Sequence, residues 1–147
     1  MIRHADKNDI PKILEMSAKF WLRTQFDEPF NAEHTQAMVE MAISHGLLAV
    51  LVVDGSVNGF VAGIKSFLLG SQEAICATEL AWWVEPEHRK GRNGVALVKF
   101  IENAAKEQGV KYWTMVSMQS SEPEQANSLY KALGYELSEE SHTKRLV

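Results

Sequence analysis

The sequence predicts an α/β protein of the α+β kind, built on a mixed, mostly antiparallel sheet of about six to seven strands with helices on both faces. Three apolar runs between residues 47 and 84 are separated only by short turn signals, which is typical of an antiparallel meander. Segments with a three- to four-residue apolar period lie before and after these runs. The predicted order is β-α-α-β-β-β-α-β-α-β-β, in a single domain over residues 1–147.

The N-terminal elements begin with a short strand over Met1–Ala5. Asn8 is expected to cap the helix that follows, and Pro11 is tolerated in its first turn because that N–H would have no helical acceptor. A second helix is expected from about Glu33 to His45, with Gly46 as its stop. The first helix presents its apolar face at Ile10, Ile13, Leu14, Ser17, Phe20 and Trp21.

The central strands follow directly. A strand over Leu47–Val53 meets Asp54-Gly55, a pair that predicts a hairpin. Two further strands are expected over about Val57–Leu68 and Ala74–Val84, with a turn at Gly70-Ser71-Gln72 between them.

In the C-terminal half, helices are again expected where apolar residues recur every three or four positions, and strands are expected in the other apolar segments. A Ser121/Glu124 pair has the spacing of a capping box, with Pro123 in the first turn of the helix it would open. The expected elements are a helix over about Asn93–Gln108, a strand over Lys111–Met118, a helix carrying Ala126, Leu129, Tyr130 and Leu133, and a final hairpin over Tyr135–Leu137 and His142–Val147.

Composition narrows the class of protein. A hydrophobic fraction of 46% and a charged fraction of 23% are those of a folded globular chain. The net charge of −4 argues against nucleic acid as a partner, and no apolar run approaches the roughly 20 residues that span a bilayer. Cys76 is the only cysteine, which excludes an intrachain disulfide and suits a cytoplasmic location. The five histidines show no metal-ligand spacing, so no metal is expected.

The most informative segment is residues 82–97, where an apolar strand runs through a basic, glycine-bearing loop into a helix. The first N–H groups of a helix lack helical acceptors, and Arg89, Lys90 and Arg92 add charge beside them. This pattern predicts a phosphate-bearing ligand. The alternative is a solvated basic turn that interacts with Glu85 and Glu87. Neither the Walker pattern nor Gly-x-Gly-x-x-Gly is present, which argues against nucleoside triphosphate hydrolysis and NAD binding.

Residues 79–97 are similar to the diagnostic segment of the GCN5-related N-acetyltransferases, a strand and turn followed by Arg/Gln-x-x-Gly-x-Gly/Ala at the start of a helix. Arg89 takes the first position of this motif and Gly94 the last. Arg92 stands where the family usually has its middle glycine, and Gly91 lies one residue earlier. Residues 126–135 resemble the family's Ala-x-x-Leu-Tyr-x-x-x-Gly-Phe helix, although Pro123 stands where an asparagine is often found.

The resemblance implies that the protein binds acetyl-CoA through this segment. The pantetheine arm is expected to pair like an extra strand with the backbone near Trp82 and Val84, in a gap that opens near Trp113. The residues expected at the pyrophosphate are Arg89, Lys90, Gly91, Arg92, Asn93, Gly94 and Val95.

Two catalytic residues are expected, one from the resemblance and one from a carboxylate in an otherwise apolar strand. Tyr130 matches the family tyrosine that can protonate the leaving thiolate, and the alternative is that it continues the buried helical stripe. Glu79 is the candidate base for the incoming ammonium, and the alternative is a solvent-exposed glutamate at a strand end. A bulge in this strand would change the face to which Glu79 points.

The function implied is direct transfer of acetyl to a primary amine of a small molecule or protein. One alternative is a catalytically weak acyl-CoA-binding or sensing module, and another is a generic α/β domain that binds a different phosphate ligand. The acidic loop around Asp27, Glu28 and Phe30 would suit a cationic acceptor, or it is plain surface. The sequence leaves the acceptor and the oligomeric state open, with a homodimer as one alternative.

Overall fold

The computed structural model describes all 147 residues, which form two compact units, Met1–Val116 and Ser117–Val147. The first unit contains the sheet and three helices, and the second contains the last helix. The strands are Ile2–His4 (β1), Leu48–Val53 (β2), Ser56–Leu68 (β3), Ser71–Val84 (β4) and Val110–Thr114 (β5). The helices are Ile10–Trp21 (α1), Ala32–Ser44 (α2), Asn93–Glu107 (α3) and Pro123–Ala132 (α4), and none has the length and apolar character that a membrane crossing requires.

The sheet has the spatial order β1-β2-β3-β4-β5, with antiparallel pairing throughout except between β4 and β5, which are parallel. The predicted mixed, mostly antiparallel sheet is therefore confirmed. Asp54 and Gly55 have φ values of 49° and 77°, and this left-handed pair closes the predicted β2–β3 hairpin.

Both faces of the sheet are covered by helices, as predicted. Side chains alternate along β3, so that Phe60 and Ala62 pack under α1 and α2, whereas Val61 packs under α3. Leu97 and Ile101 of α3 are fully buried against this second face. Val84 at the end of β4 and Leu97 in α3 belong to this second layer, so the end of β4 and the start of α3 lie beside each other.

The predicted sixth and seventh strands are wrong, because residues after α4 form no strand and the sheet has five. The tail from Ser138 to Arg145 is polar, and the apolar residues on either side of it remain in solvent, with Leu137 81% and Leu146 86% exposed. A hairpin without an apolar face to bury gains little from pairing.

Two predicted helix caps are also wrong. Asp6, and not Asn8, caps the N-terminal helical segment, because its carboxylate accepts the Asn8 N–H while Asp9 accepts the Asp6 N–H. This capped turn is a short 3₁₀ helix that leads into α1. The residue before α4 is Glu122, with φ of 44°, and no side chain caps this helix, so the Ser121 capping box does not form.

Candidate functional site

The open edge of β4 is the main feature of the site. β5 pairs with β4 only from Ile75 to Thr78, and the last pair joins Thr78 to Thr114. The strand predicted to reach Met118 thus ends at Thr114. Beyond this point β4 continues from Glu79 to Val84 and pairs on one side only, with β3. The other edge of β4 is open within the first unit beyond Thr114, next to Trp113, near which the family resemblance implies a gap.

The backbone groups of Trp82 and Val84 point toward this open edge. Just after β4, the Glu85 N–H donates to the carbonyl of Asn58 on the neighbouring strand β3 at 2.9 Å. Because backbone groups alternate along an antiparallel strand, those of Trp83 also face β3, and those of the two residues flanking it face away. The Arg89 Nε donates to the Val84 carbonyl at 2.7 Å, which agrees with this orientation.

A β-bulge at Leu80 sets the direction of Glu79. Ala62 pairs with Ala81 and Gly63 pairs with Glu79, so that Leu80 is the extra residue. Cross-strand partners share a face, and Gly63 alternates with Ala62 to the α3 side. Glu79 therefore lies on the α3 side of the sheet, and Ala81 lies on the α1/α2 side.

Glu79 is half-buried at the point where β4 and β5 separate. Its Oε2 accepts the Val116 N–H at 3.0 Å, just beyond the end of β5. Burial raises the pKa of this carboxyl to about 7, and the hydrogen bond from Val116 opposes the shift. This environment differs from that of a solvated strand-end glutamate, and it gives the group a titration near neutral pH.

The loop after β4 is compatible with Arg92 in the place of the usual glycine. Gly91 has φ of 92°, a conformation that side chains of L-residues rarely adopt, whereas Arg92 has an ordinary φ of −102°. Gly94 packs closely against Trp82, because a Cβ there would lie 3.1 Å from the Trp82 ring. The left-handed position of this loop is therefore Gly91, and Arg92 needs no glycine-like conformation.

The N-terminus of α3 presents amides without helical acceptors. The first α-helical bond is donated by the Ala96 N–H to the Arg92 carbonyl at 2.8 Å, so the amides of Asn93, Gly94 and Val95 have no acceptor within the helix. Arg92 is the N-cap and makes no side-chain cap. Arg92 and Lys90 are exposed, which places two cations beside these amides.

The side chain of Arg89 lies against the end of β4. Its guanidinium is 4.5 Å from the centre of the Trp83 ring, in addition to the bond to Val84. Beside Trp83, the buried Glu85 accepts a hydrogen bond from Lys19 of α1 at 2.7 Å. No local sequence pattern reveals the Lys19–Glu85 pair, because the two residues are 66 positions apart.

Tyr130 lies on α4 in the second unit. The side chain is 7% exposed, and its ring centre is 5.7 Å from that of Tyr135. The Tyr130 carbonyl also accepts the Tyr135 N–H at 2.9 Å, after α4 has ended. This packing fixes the ring within its own unit, and the acid role of the hydroxyl stays a prediction.

A cavity of about 210 Å³ lies on the α1/α2 side of the sheet. Trp21 is held in its wall because its Nε1 donates to the Glu28 carbonyl at 2.7 Å. Phe30 lines the cavity, but Asp27 and Glu28 do not. No local sequence pattern indicates this cavity, since its walls come from separate segments. They include Phe20 and Trp21 of α1, Met38 of α2, Phe60 of β3, and Leu80 and Ala81 at the bulge.

Comparisons with known proteins agree with this geometry. Residues 44–137 match the acetyltransferase (GNAT) domain. Similar solved structures include a transcriptional regulator from Bacillus halodurans C-125 (21% identity, TM-score 0.78, 99% of each chain). Another is the aminoglycoside N-acetyltransferase AAC(6')-Iy in complex with CoA (17% identity, TM-score 0.77, 99% of this chain and 93% of that chain). A third is a ribosomal-protein-alanine N-acetyltransferase from Brucella melitensis biovar Abortus 2308 (16% identity, TM-score 0.75, 99% of each chain). A search of curated proteins found no match.

The open β4 edge, the glycine-bearing loop and the domain match together define an acetyltransferase. The matched segment covers more than half of the chain, and the solved structures show the same fold over nearly all of it. The chain belongs to the GCN5-related N-acetyltransferase family, and it is an N-acetyltransferase.

Proposed function

We propose that the protein transfers acetyl from acetyl-CoA directly to a primary amine of a small molecule or protein, with residues 1–147 acting as one acetyltransferase domain. The observation that carries this proposal is the open edge of β4 leading into the N-terminus of α3. An extended amide-bearing chain fits such an edge, and a pyrophosphate fits the amides beyond it. The solved structure of AAC(6')-Iy with CoA supports the choice of donor.

The residues present fit this donor. Trp82 and Val84 direct backbone groups at the open edge, where they would pair with the amides of pantetheine. Beyond them, the free helical amides and the exposed side chains of Lys90 and Arg92 would hold the pyrophosphate. Gly94 has no Cβ, which lets the backbone approach Trp82 and the phosphates closely. When bound, acetyl-CoA supplies the acetyl group as a thioester.

The chemistry assigns three tasks to the chain. Glu79 takes a proton from the acceptor ammonium, directly or through water, so that the neutral amine attacks the thioester carbonyl. The Val84 N–H stabilises the oxyanion that forms as the new C–N bond is made. The Tyr130 hydroxyl then protonates the departing thiolate as the C–S bond breaks, and the second proton that the acceptor nitrogen loses restores this hydroxyl. The products are an N-acetylated amine and CoA.

A ligand panel tests the donor. Acetyl-CoA and CoA are expected to raise the melting temperature, because a ligand at about 100 times its Kd stabilises the folded state by roughly 2.7 kcal/mol. ATP and NAD at the same concentration serve as controls. Stabilisation by ATP without stabilisation by either CoA species would contradict the proposal. Binding of acetyl-CoA without thiol release over a broad amine panel would instead support the sensing module.

The positive charge of the loop is tested by the double variant Arg89→Ala/Arg92→Ala. We expect the KM for acetyl-CoA to rise by about tenfold or more, since charge-assisted hydrogen bonds contribute roughly 1.5–3 kcal/mol each. Steady-state thiol release measures this KM. Lys99→Ala, at an exposed position on α3, is the matched loss of charge and should leave the KM unchanged.

Because Arg89 also contacts Val84 and Trp83, the single variants must be measured as well. Arg92→Ala removes charge without removing those contacts. An unchanged KM in both Arg92→Ala and the double variant would show that the loop charge is incidental.

A further inference from the structure

We propose that the acceptor is an amine with an apolar, ring-sized body, and that this body occupies the cavity on the α1/α2 side. The proposal rests on the N-acetyltransferase function proposed above. It adds a substrate class, and it predicts that polycations are poor acceptors.

The wall chemistry of the cavity is apolar. Phe20, Trp21, Phe30 and Met38 surround the space, and no Asp, Glu, Lys or Arg side chain lines it. The volume of about 210 Å³ exceeds the roughly 150 Å³ of an engineered apolar cavity that binds benzene. One aromatic ring with a short alkyl chain therefore fits the space, and burial of its apolar surface favours binding.

The position of the cavity links it to the reacting groups. Leu80 and Ala81 form part of its wall, and Glu79 is the preceding residue of the same strand. The bulge at Leu80 keeps both Leu80 and Ala81 on the cavity side, in the stretch of β4 that has no partner in β5. An amine joined to a body in the cavity by a short chain can therefore reach the open edge of β4, where Glu79 on the opposite face would act on it through water.

The charge of the surrounding residues argues against a polycation. Asp27 and Glu28, the acidic residues between α1 and α2, are exposed and lie outside the cavity wall. The polar residues that do line it are Ser17, His34 and Thr35. A second ammonium group would lose its hydration there without gaining a carboxylate, which is unfavourable. The acidic loop thus provides no site for a cationic body inside the cavity.

The first experiment compares three primary amines by thiol release: 2-phenylethylamine, ethylamine and 1,4-diaminobutane. We expect kcat/KM to be at least about tenfold higher for 2-phenylethylamine than for ethylamine, since even one methylene in an apolar pocket changes this ratio by about 10–200-fold. 1,4-Diaminobutane should be no better than ethylamine. Titration calorimetry of 2-phenylethylamine into the CoA complex gives a second readout, which does not depend on turnover.

The second experiment places a carboxylate in the cavity wall. Met38→Glu should lower kcat/KM for 2-phenylethylamine by about tenfold or more and raise it for 1,4-diaminobutane. Ala37→Glu is the matched control, because Ala37 is an exposed neighbour on α2 that does not line the cavity. The melting temperature of each variant with and without acetyl-CoA shows that the fold and donor binding are retained.

The outcomes separate the two proposals. A preference of the wild-type protein for 1,4-diaminobutane, no binding of 2-phenylethylamine to the CoA complex, or equal effects of Met38→Glu and Ala37→Glu would each overturn the apolar acceptor. Stabilisation by acetyl-CoA together with turnover of 1,4-diaminobutane would still support the N-acetyltransferase function. Absence of stabilisation by CoA species would instead refute the donor.

Discussion

Replacing Glu79 with glutamine is expected to lower kcat by about 10²-fold or more at neutral pH, the contribution typical of a general base. In the wild-type protein, kcat/KM should rise with pH through an apparent pKa of about 7, because burial raises the pKa of this carboxyl to about 7 and only its deprotonated form accepts the proton. Glutamine cannot titrate, so the variant should lose this ascending limb. Steady-state thiol release between pH 5.5 and 9 measures both effects.

The same substitution, which lowers the rate, is expected to raise the stability of the folded protein at alkaline pH. The pKa of Glu79 is higher in the folded protein than its ordinary value of 4.5, so the folded state binds more protons between these values. The contribution of this group to folding therefore falls as pH rises from about 4.5 through about 7. Glu79→Gln should consequently melt at a higher temperature than the wild type at pH 8, while its amide oxygen still accepts the Val116 N–H.

Glu73→Gln is the matched control, at an exposed position on the same strand. It should change neither the rate nor the pH profile. A Glu79→Gln variant that keeps the wild-type rate and ascending limb would show that Glu79 only holds the chain after β5. A lower rate with an unchanged limb would assign the titration to another group.

The second large effect is expected for Tyr130→Phe, which should lower kcat by about 10²-fold and leave the KM for acetyl-CoA nearly unchanged. Phenylalanine keeps the ring that packs beside Tyr135 and removes only the hydroxyl that would protonate the thiolate. Initial rates at saturating acetyl-CoA, with melting temperature as a check on folding, measure the change.

Tyr135→Phe provides the control from the other member of the aromatic pair, since it makes the same chemical change in the same ring contact. It should leave kcat within about twofold of the wild type. Equal rates for Tyr130→Phe and the wild type would favour the buried-stripe alternative. Equal losses in both variants would point to packing of the second unit.

The sequence was sufficient to predict the five strands that form and all four helices, where local chemistry is decisive. Asp54-Gly55 is a turn whose backbone few other pairs adopt, and Gly109 and Gly134 end their helices with left-handed φ values of 79° and 90°. The loop from Arg89 to Gly94 was found for the same reason, since its residues are contiguous. Such features depend on neighbours in the chain, which the sequence displays directly.

Features that depend on distant residues were missed or misplaced. The tail pattern predicts a hairpin, but Leu137 and Leu146 find no partner surface. The cavity draws its wall from both flanking helices and from β3 and β4, and no single segment carries its pattern. Glu85 is buried because Lys19 reaches it from α1. Polar burial of this kind is decided by tertiary packing, which no local period encodes.

The bulge at Leu80 changes how every substitution in β4 should be interpreted. Before it, the odd-numbered Ala77 and Glu79 face the α3 side; after it, the even-numbered Trp82 and Val84 do. Substitutions in this strand should therefore affect packing against α3 at odd-numbered positions up to Glu79 and at even-numbered positions from Trp82 onward. The single extra residue thus reverses which side chains face α3, and it places Glu79 on the same face as the side chains of Trp82 and Val84.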